Sequence, residues 1–419
     1  MKTEWRYPPM FPGGMEVGDE EREAVMRVLD SRRLIRFYGP DDPDGDRLGE
    51  VDEFECEFAE RMGSEHALGV TSGTAALIVG LAALGIGPGD EVIVPAYTFV
   101  ASASAVLAVG GIPVIAEVDD SLTLDPASVE EAISETTKAI MPVHMRGMPA
   151  RLDELQAIAD RHRLKLIEDA AQATGASYRG RPVGSFGDVG AFSLQMHKII
   201  TTDEGGMVIT DDPELLFRAR CFHDSASEWR GAAWQDPDPA VRETFVAFPG
   251  MNLRMPEISG ALGRVQLGRL DSLLERMRAR NAVLREVVAA SGRVPLRSVT
   301  DPGEAGTALV FFAPDPIRAQ EVVWALAADG VPARVLYPER EHDWHVYACW
   351  RDILAKRTWN RQGYPFSQAR REIDYRVDSC PRSLDLLSRA VHLDVPPQLS
   401  ELELELTATA LTKALTSQC

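Results

Sequence analysis

A lone lysine, Lys198, lies between two apolar runs and is the residue best suited to covalent chemistry. The run 191–194 precedes it, a small-residue turn at 201–206 follows, and a second apolar run occupies 207–210. Ser193 stands five residues before the lysine. A lysine amine held in a tight pocket can form a Schiff base with a carbonyl compound. The simpler interpretation is a surface lysine in a loop, since lysines are mostly exposed.

A turn rich in hydroxyl groups, Ser72-Gly73-Thr74, follows a short apolar run and opens a helical one. Free N–H groups at a helix N-terminus bind anions, and a glycine there allows close approach. The pattern is not that of a P-loop, because no G-K-[ST] follows. The turn therefore predicts a phosphate site, with plain helix capping by Ser72 or Thr74 as the alternative.

Acidic, amide and aromatic side chains follow two other predicted strands. Asp169 and Gln172 come just after the apolar run 164–167, and ligands of parallel sheets bind at such carboxyl ends of strands. Asp169 could hold a pyridinium proton and Gln172 could hydrogen-bond a neighbouring ring oxygen, or Asp169 could simply cap the next turn. An aromatic ring in the segment 97–99 could stack on a flat cofactor, although core packing is its commoner fate.

These residues favour a functional interpretation when they are taken together. A phosphate-binding turn, an aromatic face, an acid and a lysine all fall in loops after strands of one predicted sheet. Pyridoxal phosphate (PLP) needs a lysine for its Schiff base, a carboxylate for its pyridine nitrogen and a helix N-terminus for its phosphate. We therefore expect a PLP site in this chain, and no metal site.

The elements that position these residues alternate between strands and helices. We predict strands at 67–70, 91–94, 113–118, 139–143, 165–168, 189–193 and 207–210. We predict helices between them at 73–84, 98–109, 126–134 and 152–162. This alternation predicts an α/β fold with a largely parallel sheet and helices on both faces.

The chain of 419 residues is long enough for a large domain and a smaller one. We expect an N-terminal arm with two helices (1–65), a large PLP-binding α/β domain (66–255), a long connecting helix (256–291) and a small C-terminal α+β domain (292–419). In the last we predict strands at 309–313 and 333–337 and helices at 317–329, 383–389 and 400–416. The insert 341–376, rich in Trp, His and Arg, could cover the substrate or be a surface elaboration.

Composition excludes several classes of partner. The net charge is −20 and no basic block offsets it, so we expect neither nucleic acid nor an anionic membrane to bind. The five cysteines are scattered, which argues against a disulfide framework or a zinc site and fits a reducing cytoplasm. The N-terminus has no apolar run of the kind found in signal peptides. The uncharged stretch 92–116 is broken by Pro95 and Pro113, so we interpret it as strand, helix and strand.

Five segments, in order, resemble the DegT/DnrJ-type sugar aminotransferases, a PLP family of fold-type I. They are SGTAAL, PAYTF, EDAAQ, the turn S-x-x-x-x-K-x-x-T-T-x-E-G-G and N-x-R-M-x-E-x-x-G-A-L-G, and the resemblance covers roughly residues 18–415. It implies an aspartate-aminotransferase-like fold and a homodimer whose active sites are shared between subunits.

The resemblance also implies a role for individual residues. Lys198 would be the Schiff-base lysine, Asp169 the partner of the pyridine nitrogen, Gln172 the partner of the phenolic oxygen and Phe99 the stacking ring. The residues expected to bind phosphate are Ser72, Gly73, Thr74 and Ser193, with Asn252 reaching the phosphate of the neighbouring subunit.

Some positions depart from the family pattern. Ile199 and Asp203 replace the usual asparagine and glycine after the lysine. Arg146 stands where a tyrosine is usual and could meet an anionic substrate group or form a structural salt bridge. His197 is notable because some relatives carry histidine in place of the lysine and act as dehydratases; here we expect it to line or pack the site. Tyr337 is a further candidate substrate contact.

The resemblance implies an aminotransferase that moves an amino group from glutamate or glutamine to a keto sugar or keto cyclitol. The cofactor would cycle through pyridoxamine phosphate, in secondary-metabolite, antibiotic or glycan biosynthesis. One alternative is a PLP-dependent dehydratase or lyase on a sugar-like substrate. Another is a non-catalytic PLP-binding protein, against which the intact Lys198, Asp169 and Gln172 argue.

Overall fold

The computed structural model describes residues 6–36, 49–225, 247–338 and 343–416. Within these ranges the strands are β1 His66–Val70, β2 Glu91–Pro95, β3 Ile112–Ala116, β4 Thr137–Ile140, β5 Lys165–Asp169, β6 Ser177–Tyr178, β7 Arg181–Pro182, β8 Val189–Ser193, β9 Gly206–Thr210, β10 Ala308–Phe312, β11 Ala333–Arg334 and β12 Ala390–Asp394. The α-helices are α1 Asp19–Ser31, α2 Glu50–Met62, α3 Gly73–Ala83, α4 Ala101–Ala108, α5 Pro126–Ala132, α6 Leu152–His162, α7 Pro213–His223, α8 Glu257–Ser291, α9 Pro316–Ala328, α10 Arg351–Leu354, α11 Pro381–Arg389 and α12 Glu401–Thr416.

A seven-stranded sheet forms the centre of the fold, in the order β1-β9-β8-β5-β4-β2-β3. The pairs among β8, β5, β4, β2 and β3 are parallel, whereas β9 is antiparallel to both of its neighbours. Strands β2, β8 and β9 are buried along their whole length. Continuous burial is typical of strands with both faces covered by helices. The predicted α/β class with a mostly parallel sheet is therefore confirmed.

Helix α3 lies against this sheet and carries almost only apolar residues. A helix that is apolar all round is a buried one. Gly80 lets the helix pack closely, because a Cβ there would come within 2.9 Å of Val189. The Ser72 hydroxyl accepts a hydrogen bond from the Ala75 N–H (3.0 Å) and so fixes where the helix begins.

A second, three-stranded antiparallel sheet has the order β10-β12-β11. Val310 and Phe312 of β10 join the core cluster that also contains β2 and α3, while Leu309 and Phe311 join the cluster formed with α9 and α12. Alternate side chains of a strand point to opposite faces. The small sheet is therefore covered on both faces, and one of them packs on the main core.

The predicted elements recur, with several different bounds. Helix α4 begins at Ala101 rather than at residue 98, because the N–H groups of Thr98 and Val100 donate to the carbonyls of His345 (2.9 Å) and Trp344 (2.8 Å). Strand β4 ends at Ile140, two residues before Pro142, which has no N–H to donate.

In the second sheet the predicted strand 333–337 shrinks to the two residues of β11. The chain leaves the edge of the sheet after Arg334, and Leu336 enters the main core. Strand β12 was not predicted, because it follows α11 with no intervening turn residue. The sequence interpretation also omitted α7 and the β6–β7 hairpin.

The uncharged stretch 92–116 is strand, helix and strand, as expected. Across the described ranges, the structure contains no helix with the length and apolar character needed to cross a membrane. In the same ranges, no cluster of three or more His, Cys, Asp or Glu side chains is arranged to hold a metal ion.

Candidate active site

A pocket of about 690 Å³ opens at the carboxyl ends of the parallel strands. Its walls come from both sheets and from the N-terminal segment. The predicted site residues that line it are Ser72, Gly73, Thr74, Phe99, Arg146, Asp169, Gln172, Ser193, His197 and Lys198. Ligands of parallel α/β sheets bind at this edge. The structure thus brings together residues that lie more than a hundred positions apart in the chain.

Lys198 is presented by a tight loop between β8 and β9. The Thr202 N–H and the Thr201 hydroxyl both donate to the Leu194 carbonyl (2.9 Å each). The backbone N–H of Lys198 donates to the Gln195 carbonyl (2.8 Å). Burial lowers the pKa of the Lys198 amine, against the opposing effect of Asp169. A lowered pKa leaves more of the amine neutral and nucleophilic at physiological pH.

Asp169 ends β5 and is buried, with a side chain held at both oxygens. The Ser102 hydroxyl donates to Oδ2 (2.8 Å), and the Ala171 N–H donates to Oδ1 (3.1 Å). Burial raises the pKa of Asp169, while these hydrogen bonds oppose the rise. By accepting the Ala171 N–H, Asp169 caps the following turn, which was one of the two roles considered from the sequence. Asp169 also lines the pocket.

A buried pair behind Asp169 fixes the end of β5 and was not found from the sequence. The Ala150 N–H donates to His144 Nδ1 (3.0 Å), so the ring proton is on Nε2, which donates to Glu168 (3.0 Å). Glu168 also accepts the N–H groups of Gly184 (2.7 Å) and Gly187 (2.8 Å). Such a satisfied polar network rigidifies the strand end that carries Asp169.

The first turn of α3 meets the end of β8 at the floor of the pocket. A Cβ on Gly73 would lie 2.5 Å from the Ser193 Cβ and 2.9 Å from its hydroxyl oxygen. Ser72 caps α3, so the helix-capping role considered from the sequence is present. In the described part of the chain, the N–H groups of Gly73 and Thr74 have no acceptor, as is normal in the first turn of a helix. They provide donors for an anion.

Phe99 forms an exposed aromatic wall of the pocket. Its side chain is 44% exposed, an unusual state for a large apolar ring next to a core. The His345 ring lies beside it, with centroids 5.2 Å apart and planes inclined by 51°. Tyr97, two residues earlier, is fully buried and does not line the pocket.

Arg146 joins the two sheets. It adopts the left-handed backbone conformation (φ 56°), its N–H donates to Gln172 Oε1 (3.1 Å), and its guanidinium pairs with Asp394 of β12. Asp394 also pairs with Arg334 (3.1 Å). Arg146 therefore forms the structural salt bridge considered from the sequence, and it lines the pocket too.

His197 is exposed at the mouth of the pocket. Its Nδ1 lies 3.0 Å from Gln195 Oε1, and its ring packs edge-on against Phe11 at 4.6 Å. Burial and the neighbouring Lys198 charge lower its pKa. These contacts are those of a lining residue, the role expected of it.

Two expected site residues lie elsewhere. Asn252 is exposed and does not line this pocket, although its neighbour Leu253 accepts the Thr71 N–H (3.0 Å) next to the anion turn. Tyr337 packs against the main core and is not among the residues that line this pocket, so its substrate contact stays a prediction. It lies two residues beyond the point where β11 ends, and the chain there has turned toward the core.

The sequence interpretation missed other lining residues, among them Phe11, Thr307, Arg334, His345 and Asp394. They come from the N-terminal arm, from the small sheet and from the insert. Only His345 had a signal, since it lies in the segment singled out as rich in Trp, His and Arg.

The sequence model of one protein family, the DegT/DnrJ/EryC1/StrS aminotransferase family, matches residues 16–367. This range holds all the predicted pocket residues and most of the chain. The chain belongs to this family of aminotransferases.

Individual relatives agree with that assignment. This aminotransferase is 39% identical over 346 residues to dTDP-3-amino-3,4,6-trideoxy-alpha-D-glucose transaminase of Streptomyces venezuelae, a match that covers 80% of this chain and 82% of the relative. It is 46% identical over 255 residues to L-glutamine:2-deoxy-scyllo-inosose aminotransferase of Micromonospora echinospora. That second match covers 60% of this chain and 59% of the relative, so it spans less than two thirds of either protein.

A solved structure shares the fold. The S. venezuelae protein DesV, crystallised in complex with a ketimine intermediate, superposes with a TM-score of 0.74 at 33% identity. The superposition covers 96% of this chain and 95% of DesV. The expected fold-type I architecture is therefore confirmed.

One departure from the family pattern has a visible backbone effect. Asp203, which replaces the usual glycine, adopts a left-handed conformation (φ 71°) in this aminotransferase. Aspartate tolerates that region better than most residues do. Its N–H donates to the Thr201 hydroxyl (2.9 Å), which stabilises the turn behind Lys198. Ile199, the other departure, is buried in the core below the loop.

Proposed function

We propose that this aminotransferase uses PLP to move an amino group from glutamine or glutamate to a ring ketone, either a keto sugar or a keto cyclitol. The observation that carries the proposal is the convergence of Lys198, Asp169 and the first turn of α3 on one pocket. The names of the relatives, which concern a nucleotide sugar and an inosose, support this substrate class.

The residues present fit PLP in three respects. The Gly73 position leaves no room for a Cβ beside Ser193, as expected where a ligand group and two backbone segments meet. The N–H groups of Gly73 and Thr74 and the hydroxyl of Ser193 supply donors for a phosphate. Asp169 supplies a buried carboxylate for the pyridine nitrogen, and the exposed face of Phe99 supplies a stacking surface.

When bound, PLP supplies a carbonyl carbon that condenses with amines and a ring that accepts an electron pair. Lys198 would hold the cofactor through its amine and, once displaced by the donor, act as general base at the donor's α-carbon. Asp169 would keep the pyridine nitrogen protonated. Gln172, placed by the Arg146 N–H, would hydrogen-bond the phenolic oxygen. The same residues would hold pyridoxamine phosphate, the aminated form of the cofactor.

We also propose a homodimer with shared active sites. Asn252 is exposed rather than turned into its own pocket, which leaves it available to a second subunit. Large apolar side chains are exposed on the N-terminal arm and α1, namely Met15, Val17, Met26, Leu29, Leu34 and Ile35. Such a surface is typical of a subunit interface.

A cytoplasmic location is part of the proposal. Among the described residues, Cys56, Cys221, Cys349 and Cys380 form no disulfide bond. Free thiols persist in reducing compartments.

A Gly73→Ala substitution should weaken PLP binding at least about tenfold, because the added methyl group meets Ser193 at the phosphate site and cannot be accommodated without a shift. The measurement is a fluorescence titration of the apoprotein with PLP. Gly268→Ala is the matched control, since a Cβ at Gly268 has nothing within 4 Å. Equal affinities for the two variants would contradict the phosphate assignment.

A half-reaction experiment tests the function directly. The PLP-loaded enzyme is mixed with glutamine or with glutamate, and pyridoxamine phosphate and the keto acid are quantified by chromatography. The pyridoxamine form is then offered 2-deoxy-scyllo-inosose or a dTDP-3-keto-deoxyhexose, and the return of PLP is followed. We expect stoichiometric formation of keto acid and then of an amino cyclitol or amino sugar.

The alternatives give different products. A dehydratase or lyase would release water or a deaminated product from the sugar without net transfer of an amino group. A non-catalytic PLP-binding protein would bind the cofactor and form no keto acid. Either result would overturn the aminotransferase proposal for this chain.

A further inference from the structure

The described part of the insert, residues 343–376, contributes a wall to the pocket and is anchored by several hydrogen bonds. Residues 343–346 pair with the segment that carries Phe99: the Thr98 and Val100 N–H groups donate to it, and Tyr97 forms an antiparallel bridge with Val346. The indole N–H of Trp350, which is fully buried, donates to the Trp344 carbonyl (2.9 Å). The wall is therefore built on the same backbone as the aromatic face of the pocket.

His345 is the pocket-lining residue that this wall provides. Its Nδ1 lies 2.7 Å from Asp343 Oδ1, and the same carboxylate oxygen accepts the His345 backbone N–H (2.8 Å). In the part of the chain that the structure describes, the ring's Nε2 has no hydrogen-bond partner. This atom is not buried. The second ring nitrogen is thus open to a ligand in the pocket.

The hydrogen bond to Asp343 decides what Nε2 can do. In a neutral imidazole, a proton on Nδ1 that is donated to the carboxylate leaves Nε2 as an acceptor. Burial lowers the pKa of His345, and the charges of Arg146 and Lys198 act in the same direction, opposed by Asp343. The ring therefore offers a hydrogen-bond acceptor toward the pocket, which suits a hydroxyl group and not an anion.

The position of His345 places that acceptor on the substrate side. Its ring lies beside Phe99, whose exposed face is the proposed cofactor wall. The anion turn at Gly73 and the buried Asp169 come from other strands, and neither is among the hydrogen-bond or ring contacts of His345. A hydroxyl group on the ring of the acceptor can reach Nε2 without displacing any protein contact.

We propose that His345, oriented by Asp343, accepts a hydrogen bond from a hydroxyl group of the ring ketone and thereby selects hydroxylated acceptors. This inference rests on the proposed aminotransferase function and deepens it. It assigns a substrate-contacting role to His345, a positioning role to Asp343 and a function to the insert. A site that hydrogen-bonds a substrate hydroxyl group rejects analogues that lack this group more strongly than an apolar site does.

Paired variants test the role of Nε2. His345→Asn retains a group near Nδ1 that can bond Asp343 but lacks an atom at Nε2, whereas His345→Gln places an amide oxygen near Nε2. The hydroxylated probe is 2-deoxy-scyllo-inosose or a dTDP-3-keto-4,6-dideoxyhexose, whichever the wild-type enzyme uses faster. The second probe is cyclohexanone, a ring ketone without hydroxyl groups. His162→Asn is the control, since His162 pairs with a carboxylate on the surface (2.7 Å).

We expect His345→Asn to lower kcat/KM for the hydroxylated ketone at least about tenfold, the size of a lost hydrogen bond to substrate. Cyclohexanone turnover and the donor half-reaction should change less than about twofold. His345→Gln should recover part of the loss. Asp343→Asn should resemble His345→Asn, because an amide N–H donated to Nδ1 moves the ring proton to Nε2 and converts the acceptor into a donor.

The outcomes separate this inference from the function on which it rests. A wild-type enzyme with no donor half-reaction would overturn the proposed function. A wild-type enzyme that completes the donor half-reaction but uses neither hydroxylated ketone would overturn the acceptor class, and this inference with it. The last outcome concerns His345→Asn when its circular dichroism and its PLP binding are those of the wild type. If this variant then changes kcat/KM for the hydroxylated ketone and for cyclohexanone equally, or changes neither, His345 does not hydrogen-bond a hydroxyl group of the acceptor.

Discussion

Replacing Lys198 by alanine should lower transamination at least about 10³-fold, because the change removes both the amine that holds the cofactor and the general base. Turnover is measured with glutamine and the faster ring ketone. Covalent capture is measured by borohydride reduction of the PLP-loaded protein, followed by mass spectrometry of the peptide that contains residue 198. We expect the labelled peptide in the wild type and not in the variant.

The wild type should also show the lowered pKa of Lys198. Only the neutral amine attacks a carbonyl, so the rate of PLP capture by the apoprotein should rise with pH through an inflection below the ordinary lysine value of 10.5. Lys138→Ala is the matched control, because Lys138 is an exposed lysine on β4 of the same sheet. A Lys198→Ala variant that keeps its turnover, or a Lys138→Ala variant that loses it, would contradict the assignment.

An Asp169→Asn substitution should lower kcat by about 10²–10³, the usual effect of removing one preorganised electrostatic partner. Asparagine keeps the shape of the side chain. Its amide oxygen can accept the hydrogen bond from the Ala171 N–H, and its amide N–H can donate to the Ser102 hydroxyl oxygen, so the fold and the PLP affinity should change little. Stopped-flow measurement of the donor half-reaction gives the rate of proton removal, and a PLP titration gives the affinity.

Two further variants calibrate that result. Ser102→Ala removes only the hydroxyl that donates to Asp169 Oδ2, and we expect a loss of about three- to tenfold, the size of one modest hydrogen bond. Asp160→Asn changes an exposed aspartate of α6 that interacts with Gln156, and it should have no effect. If Asp169→Asn kept the wild-type rate, the carboxylate would not be the partner of the pyridine nitrogen.

Much of the large sheet could be predicted because its strands are short, apolar and separated by clear turn or helix signals. The order of the seven strands of this sheet and of the helices between them followed from that alternation, whereas the short β6–β7 hairpin did not. The errors arose where tertiary contacts override local pattern. Residues 98–100 carry a helical pattern, yet they pair with the insert. Strand β12 follows a helix without any break, so no local signal separates the two elements.

The residues of the site also fall into a group that the sequence predicted and a group that it did not. Lys198, Asp169 and the Gly73 turn follow strand ends, and the topology of a parallel sheet carries all such residues to one edge. Arg334, Thr307 and Asp394 reach the pocket from the small sheet, and Phe11 reaches it from the N-terminal arm. Whether these residues line the pocket depends on how separate elements pack together, and the spacing of residues along the chain does not predict that packing. Tyr337 is absent from the pocket lining for the same reason.

Several contacts join the two sheets at Arg146. The Thr307 hydroxyl donates to the Arg146 carbonyl (2.8 Å), the Ala305 N–H donates to Gly147 (2.9 Å), and the Arg146 guanidinium pairs with Asp394. Separating a largely buried ion pair costs several kcal/mol. A hinge opening between the sheets is therefore disfavoured. We therefore expect donor and acceptor to enter past the outer rim, where Phe11 packs on the exposed His197.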